Sequence, residues 1–155
     1  MNRLSPKLAS LLDDGRVPYR SLAHSADMTS QATAQHTHTP GREFAKTVVV
    51  WVDGRFAMAV LPAHKRVDLE KLRKWLNARE ARLATEAEMA RLFPDCEVGA
   101  EPPFGNLYQL PVYVSPLLSR ERITFHGGSH EEAVQMNYRD FAALAKPSVI
   151  DFVAD

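Results

Sequence analysis

The chain has 155 residues, 45% hydrophobic and 25% charged, with 19 Lys+Arg against 19 Asp+Glu. That length suits one domain, residues 1–155, with a real core. A net charge of zero argues against a protein that coats long nucleic acid by bulk charge, but leaves room for a local basic patch. No apolar run reaches membrane-spanning length, the start Met1-Asn2-Arg3-Leu4-Ser5-Pro6 has no signal-type apolar stretch, and the one cysteine, Cys96, excludes an internal disulfide, so a cytoplasmic protein is expected.

Ser5-Pro6 reads as an N-cap followed by proline at the first helical position. Leu8, Leu11 and Leu12 form the apolar stripe of that helix, and Gly15 is expected to stop it in the left-handed conformation. Val17 to Ala23 reads as a strand. Thr29 or Ser30 then caps an expected second helix with Ala32, Ala34 and Gln35, ending before Pro40-Gly41. Ala45-Lys46-Thr47-Val48-Val49-Val50-Trp51-Val52 is β-branched and apolar behind a single lysine. Asp53-Gly54 is a two-residue hairpin turn, and Arg55 to Leu61 is the returning strand. Read alone, Lys46 is either a solvated strand-end lysine or a cation held for an anion.

Asp68 caps a helix whose apolar face is expected to carry Leu69, Leu72, Trp75 and Leu76. Arg82 to Ala84 reads as a short strand. Thr85-Glu86-Ala87-Glu88 has the form of a capping box, opening a helix with Met89, Leu92 and Phe93. Val98 to Asn106 is a Gly/Pro-rich loop. Pro111 to Val114, Arg122 to His126 and Ala133 to Met136 read as strands. Asn137 or a neighbour caps a last helix with Phe141, Leu144 and Ala145; Pro147 ends it, and Val149 to Val153 reads as a closing strand. Irregularly interleaved helices and strands with clear hairpins predict an α+β fold on a mixed, partly closed sheet.

Three stretches, in order, resemble one family: Ala45-Lys46-Thr47-Val48 with its hairpin and Leu61-Pro62; Gly99-Ala100-Glu101-Pro102-Pro103-Phe104-Gly105; and Gly127-Gly128-Ser129-His130 leading into Asp140-Phe141. Together they look like the YbaK / prolyl-tRNA-synthetase-associated domain, over about Val17 to Val153. The resemblance implies a mixed, barrel-like β-sheet surrounded by helices. It also implies a trans-editing hydrolase that cleaves the ester between a wrong amino acid and a tRNA 3′ end. The family's key lysine maps to Lys46. Its Gly-x-x-x-Pro loop maps to Gly99 and Pro103, with Gly105 after it, and its pocket-closing loop to Gly127, Gly128, Ser129 and His130. Two positions depart from many members: Ser115 where an aspartate is common, and Phe93-Pro94-Asp95-Cys96 where a Thr-Gly-Tyr-like stretch is common. Both bear on the substrate subgroup.

The chemistry suits these residues. An aminoacyl ester is already labile, so holding it against water supplies much of the rate. Lys46 would neutralise the terminal phosphate, Gly99 and the other loop glycines would bring backbone N–H groups to the oxyanion, and His130 would bind the substrate amine or order a water. Phe104 would line the pocket or stack on adenine. The candidate catalytic residues are therefore Lys46, Gly99 and His130, and the candidate binding residues Pro103, Phe104, Gly105, Gly127, Gly128 and Ser129. Lys65, Arg66, Lys71, Arg73, Lys74, Arg79 and Arg82 form a basic strip that either guides an acceptor stem or is an ordinary solvated face.

His24, His36 and His38 lack a completing ligand pattern, so neither a metal nor another cofactor is expected. Cys96, between Asp95 and Glu97, is expected to have a raised pKa and no nucleophilic role. The expected partners are mischarged tRNA and, through it, an aminoacyl-tRNA synthetase. Two other readings are a non-catalytic tRNA-end or nucleotide-binding module of the same fold, and a hydrolase of another small acyl ester.

Overall fold

The computed structural model describes residues 4–23 and 41–155. Helix α1 (Pro6–Asp14) opens on Ser5, whose hydroxyl accepts from the Leu8 N–H, with Leu8 and Leu12 turned inward. Its end differs from expectation: Gly15 is right-handed (φ −78°), and Arg16 takes the positive φ of 52°. The expected helix around Thr29 to Gln35, with His24, His36 and His38, lies outside the described residues.

Strands β1 (Tyr19–Ala23), β7 (Glu132–Asn137) and β6 (Arg122–His126) form an antiparallel sheet in the order β1-β7-β6. The second sheet has the order β4-β2-β3-β5-β8, from β2 (Ala45–Val52), β3 (Arg55–Pro62), β4 (Ala81–Leu83), β5 (Val112–Val114) and β8 (Ser148–Val149). It is mixed: β2 is antiparallel to β3 and β4, while β5 runs parallel to β3 and β8. A parallel bridge between Phe44 and Thr124 joins the start of β2 to β6. The fold is thus α+β on mixed sheets. The closing strand is shorter than expected: only Ser148–Val149 is strand, and Val153 instead bridges to Val67.

The β2–β3 turn has φ of 47° at Asp53 and 90° at Gly54, the pair of positive values a type I′ hairpin needs. Alternation along β2 gives each side of the five-stranded sheet its own core. Val49, Met58 and Val60 pack with Leu8, Leu12, Phe93, Phe104, Phe125 and Phe141. Val50, Ala57, Ala59 and Leu61 pack with Leu72, Phe152 and Val153.

Helix α2 (Leu69–Trp75) is capped by Asp68, which accepts from Glu70 and Lys71 N–H at 3.0 Å each. It buries Leu72 but not Trp75, which is 59% exposed at the helix's last residue. Helix α3 (Glu86–Leu92) carries the complete Thr85/Glu88 capping box. Helix α4 (Tyr138–Ala145) begins after Asn137, which sits at the cap position without a side-chain hydrogen bond.

Candidate functional site

Lys46 lies opposite Leu61, on the same side of β2 as Val48, Val50 and Val52, at the rim of the second core. It is half-buried. Burial first, and then the charge of Arg66, hold its ammonium below the ordinary lysine value. Sequence reading found no reason for such a shift, because Arg66 is twenty residues away and reaches Lys46 only once the hairpin and the turn after it have formed.

The two glycine loops meet. Glu97 N–H donates to the Gly128 carbonyl at 2.8 Å, and Gly128 N–H to the Ala100 carbonyl at 2.9 Å. His130 N–H donates to Glu97 Oε1 at 3.1 Å. Gly99 has φ +89°, and a Cβ there would lie 3.4 Å from the His130 ring. Gly128, at φ +106°, passes so near Ser5 that a Cβ would sit 2.9 Å from the serine's own. Gly99 is glycine for its positive φ, and Gly128 both for its positive φ and because its loop passes against the Ser5 backbone.

Their amide protons are used inside the loops. Gly99 N–H donates to the Glu101 carboxylate, at 2.8 Å to Oε2, and Gly127 N–H to the Glu132 carbonyl at 3.1 Å. With Gly128 N–H on Ala100, none of these three amides is left for an oxyanion in this geometry, which corrects the expected role of the glycines. Glu101 itself escaped the sequence reading. It is buried, burial raises its pKa, and backbone N–H bonds together with the nearby His130 act in the other direction. The signal for it was an acid set between Gly99 and Pro102-Pro103, where a carboxylate reaches its own loop's amides.

His130 Nε2 lies 2.7 Å from the Val98 carbonyl oxygen. A carbonyl only accepts, so Nε2 carries the proton, and Nδ1 is the basic nitrogen of the neutral ring. The His130 ring packs edge-on against His126 at 5.5 Å, and His126 against Phe44 at 5.6 Å. Phe44 is two residues before Lys46, so this chain of rings connects the strand that carries the lysine to the joined loops.

Phe104 is fully buried, edge-on to Phe125 and Phe141 at 5.6 and 5.4 Å. It has no face for a base; it anchors the Gly99–Gly105 loop in the core. Pro103 and Gly105 are buried beside it, and a Cβ on Gly105 would fall 2.2 Å from the Leu110 carbonyl oxygen. Ser129 is buried, its hydroxyl accepting from Glu131 N–H at 3.1 Å.

A second set of bonds that sequence reading missed fastens α1 to these loops. Ser5 N–H donates to the Gly127 carbonyl at 2.8 Å, while the Ser5 hydroxyl bonds to Asp95. Tyr108 OH donates to the same carboxylate at 3.0 Å and contacts Cys96 Sγ at 3.3 Å. Burial, more than the neighbouring acids, pushes the Cys96 thiol up to about 12, so it is no thiolate. Ser115 caps its own turn: Leu117 N–H donates to its hydroxyl at 3.1 Å.

Three of the seven residues of the basic strip are paired with acids among the described residues. Lys71 bonds Asp155, Arg73 bonds Glu70, and Arg82 bonds Glu88 while lying over Trp51. Among the described residues no cluster of three or more metal-ligating side chains occurs, and no helix is long and apolar enough to cross a membrane.

Comparison with known proteins places the chain in a family. Residues 24–144 match the model of the aminoacyl-tRNA editing domain. A relative from Escherichia coli O157:H7, the multifunctional Ser/Thr-tRNA deacylase ProXp-y, is 28% identical over 152 residues, covering 94% of this chain and 90% of that protein. Two solved structures share the fold. One, a candidate trans-editing enzyme for prolyl tRNA synthetase, superposes with a TM-score of 0.82 at 22% identity over 98% of this chain and 99% of its own. The other, the hypothetical protein APE2540, has a TM-score of 0.82 at 21% identity over 96% of this chain and 99% of its own. The chain belongs to the aminoacyl-tRNA editing domain family and is an aminoacyl-tRNA deacylase.

Proposed function

We propose that the ester of a mischarged tRNA is hydrolysed between the open end of the β2–β3 hairpin and the joined glycine loops, with Lys46 holding the phosphate of the terminal nucleotide. The observation that carries this is the pairing of like charges: Lys46 is half-buried beside Arg66, and both depress its protonation. An anion placed against them relieves that cost, whereas a lysine with no task would turn its ammonium out to water. Held by its phosphate, the 3′ nucleotide presents its acyl ester to a water molecule. Water adds to the carbonyl, the acyl–oxygen bond breaks, and the free amino acid and the tRNA hydroxyl leave. His130, with Nε2–H fixed on Val98, offers Nδ1 to that water or to the substrate amine. Gly99, Gly127, Gly128 and Ser129 shape the walls, and Pro103, Phe104 and Gly105 stiffen the loop from beneath.

The Phe44–Thr124 bridge supports reading the two sheets as a partly closed, barrel-like unit that acts as one editing domain over 1–155. The substrate class is a small or hydroxyl-bearing amino acid, and the name of the E. coli relative favours Ser-tRNA and Thr-tRNA. The implied partner is a cytoplasmic synthetase that makes such errors. A panel of tRNAs charged with Ser, Thr, Ala and their cognate amino acids tests the reading. Deacylation of seryl or threonyl esters, with cognate esters spared, is the expected result. Retained tRNA binding with no turnover of any member would replace it with the non-catalytic module, and turnover of free esters alone with a general esterase.

A further inference from the structure

The open end of the hairpin holds a second cationic feature. A cleft of about 150 Å³ is lined by Arg42, Pro62, His64, Lys65 and Leu117. Its three polar side chains are Arg42, His64 and Lys65, and no acid lines it. Among the described residues no ion pair involves Arg42, His64 or Lys65. The backbone that presents them is fixed from several directions. The Arg42 carbonyl accepts from Ser119 N–H at 2.9 Å, Ala63 N–H donates to Phe44 at 2.8 Å, and Lys65 N–H closes a turn on Pro62 at 2.9 Å. Leu117 is held by the Ser115 turn. Two cations and a histidine facing two apolar walls suit a phosphodiester with its ribose: the charge meets Arg42 and Lys65, and the sugar lies on Pro62 and Leu117. The cleft lies at the same end of the hairpin as the lysine: Pro62 pairs with Ala45, the residue before Lys46, and Lys65 precedes Arg66, whose charge acts on Lys46.

We infer that this cleft holds the phosphodiester on the 5′ side of the one bound by Lys46, so that the protein grips two successive phosphates of the acceptor strand. The inference rests on the deacylase reading for its substrate, but its test does not need turnover. The probe is a short single-stranded RNA ending in a 3′ adenosine, made with either a normal phosphate or a neutral methylphosphonate at that upstream linkage. Binding is followed by fluorescence anisotropy for the parent and for the double variant Arg42→Ala, Lys65→Ala, with Arg42 exposed and Lys65 half-buried, and a melting curve of the variant checks that it is folded. The parent should lose about tenfold in affinity on the neutral linkage, and the double variant about tenfold on the normal RNA. The double variant should lose nothing more on the neutral linkage, and its log–log salt slope should be shallower by about 0.7 for one single-strand phosphate. Arg42→Lys with Lys65→Arg should restore binding. Losses that multiply independently, or a double variant that binds like the parent, would overturn the cleft assignment. Failure of the parent to deacylate any mischarged tRNA would overturn the deacylase reading instead, and would leave this binding result standing.

Discussion

The two ends of the β2–β3 hairpin carry charge in opposite ways. At the turn, the Asp53 carboxylate accepts N–H bonds from Arg79 at 3.1 and 3.0 Å and from Glu80 at 2.8 Å, and these bonds hold its pKa below the ordinary value. Its charge is fully used in tying the turn to the loop before β4. At the open end, Lys46 and Arg66 repel each other, and Arg42 and Lys65 flank an acid-free cleft. The same strand pair therefore ends in satisfied charge on one side and in cations awaiting an anion on the other. Satisfied charge marks structure, and like charge held together by the fold marks a site for something outside the chain.

Breaking each end separately should give opposite phenotypes. Lys46→Ala removes one charge-assisted contact to the phosphate and should slow deacylation of mischarged tRNA by about 10- to 100-fold. It should leave thermal stability equal or slightly higher, since a half-buried cation beside Arg66 disappears. Asp53→Ala should do the reverse: Tm falls, because two loop amides lose their acceptor and a non-glycine residue keeps its positive φ, while turnover below the transition matches the parent. Paired melting curves and single-turnover assays read both. If Lys46→Ala melted early and Asp53→Ala lost turnover, the division between the ends would be wrong.

A smaller effect sharpens the comparison with the loops. Burial raises the Glu101 pKa above its unfolded value, so the native state holds that proton more tightly than the unfolded chain. Between the unfolded and folded pKa the native state binds more protons, so this residue's contribution to stability falls as pH rises and stays lower above the folded pKa. Glu101→Gln keeps an oxygen for the Gly99 N–H and cannot ionise. Its stability relative to the parent should therefore increase as pH rises through that window, then level off. Denaturation midpoints across pH check this, and a difference that shrinks with rising pH would contradict it.

What the sequence made legible was local. The Ser5 cap, the Asp53-Gly54 turn, the Asp68 cap and the Thr85/Glu88 box are each decided within four residues, and each is present. Trp75 misled because helical spacing continues the apolar stripe on paper, whereas α2 ends at that residue and releases the side chain to solvent. Gly15 misled because either of two neighbours can turn the chain, and here Arg16 does. In the site, the loops were visible as glycine-rich motifs but their joining was not. Glu97 to Gly128 and Ser5 to Asp95 are contacts, and Lys46 to Arg66 a charge interaction, between distant segments, and no periodicity encodes them. Phe104 shows the same limit: an aromatic in a Gly/Pro loop looks free to stack, and only the packed fold reveals Phe125 and Phe141 around it.

The central claim is that the fold holds Lys46 for an anion, and the titration of its own ammonium tests this most directly. With ¹⁵N-labelled lysine, assigned by loss of the signal in Lys46→Arg, the Nζ resonance is followed against pH in the free protein and with a short RNA ending in a 3′ adenosine. The account predicts a pKa below that of ordinary surface lysines in the free protein, because of burial and Arg66, and a rise toward or above the ordinary value once the RNA is bound. A Lys46 that titrates as a surface lysine and ignores the RNA would contradict it.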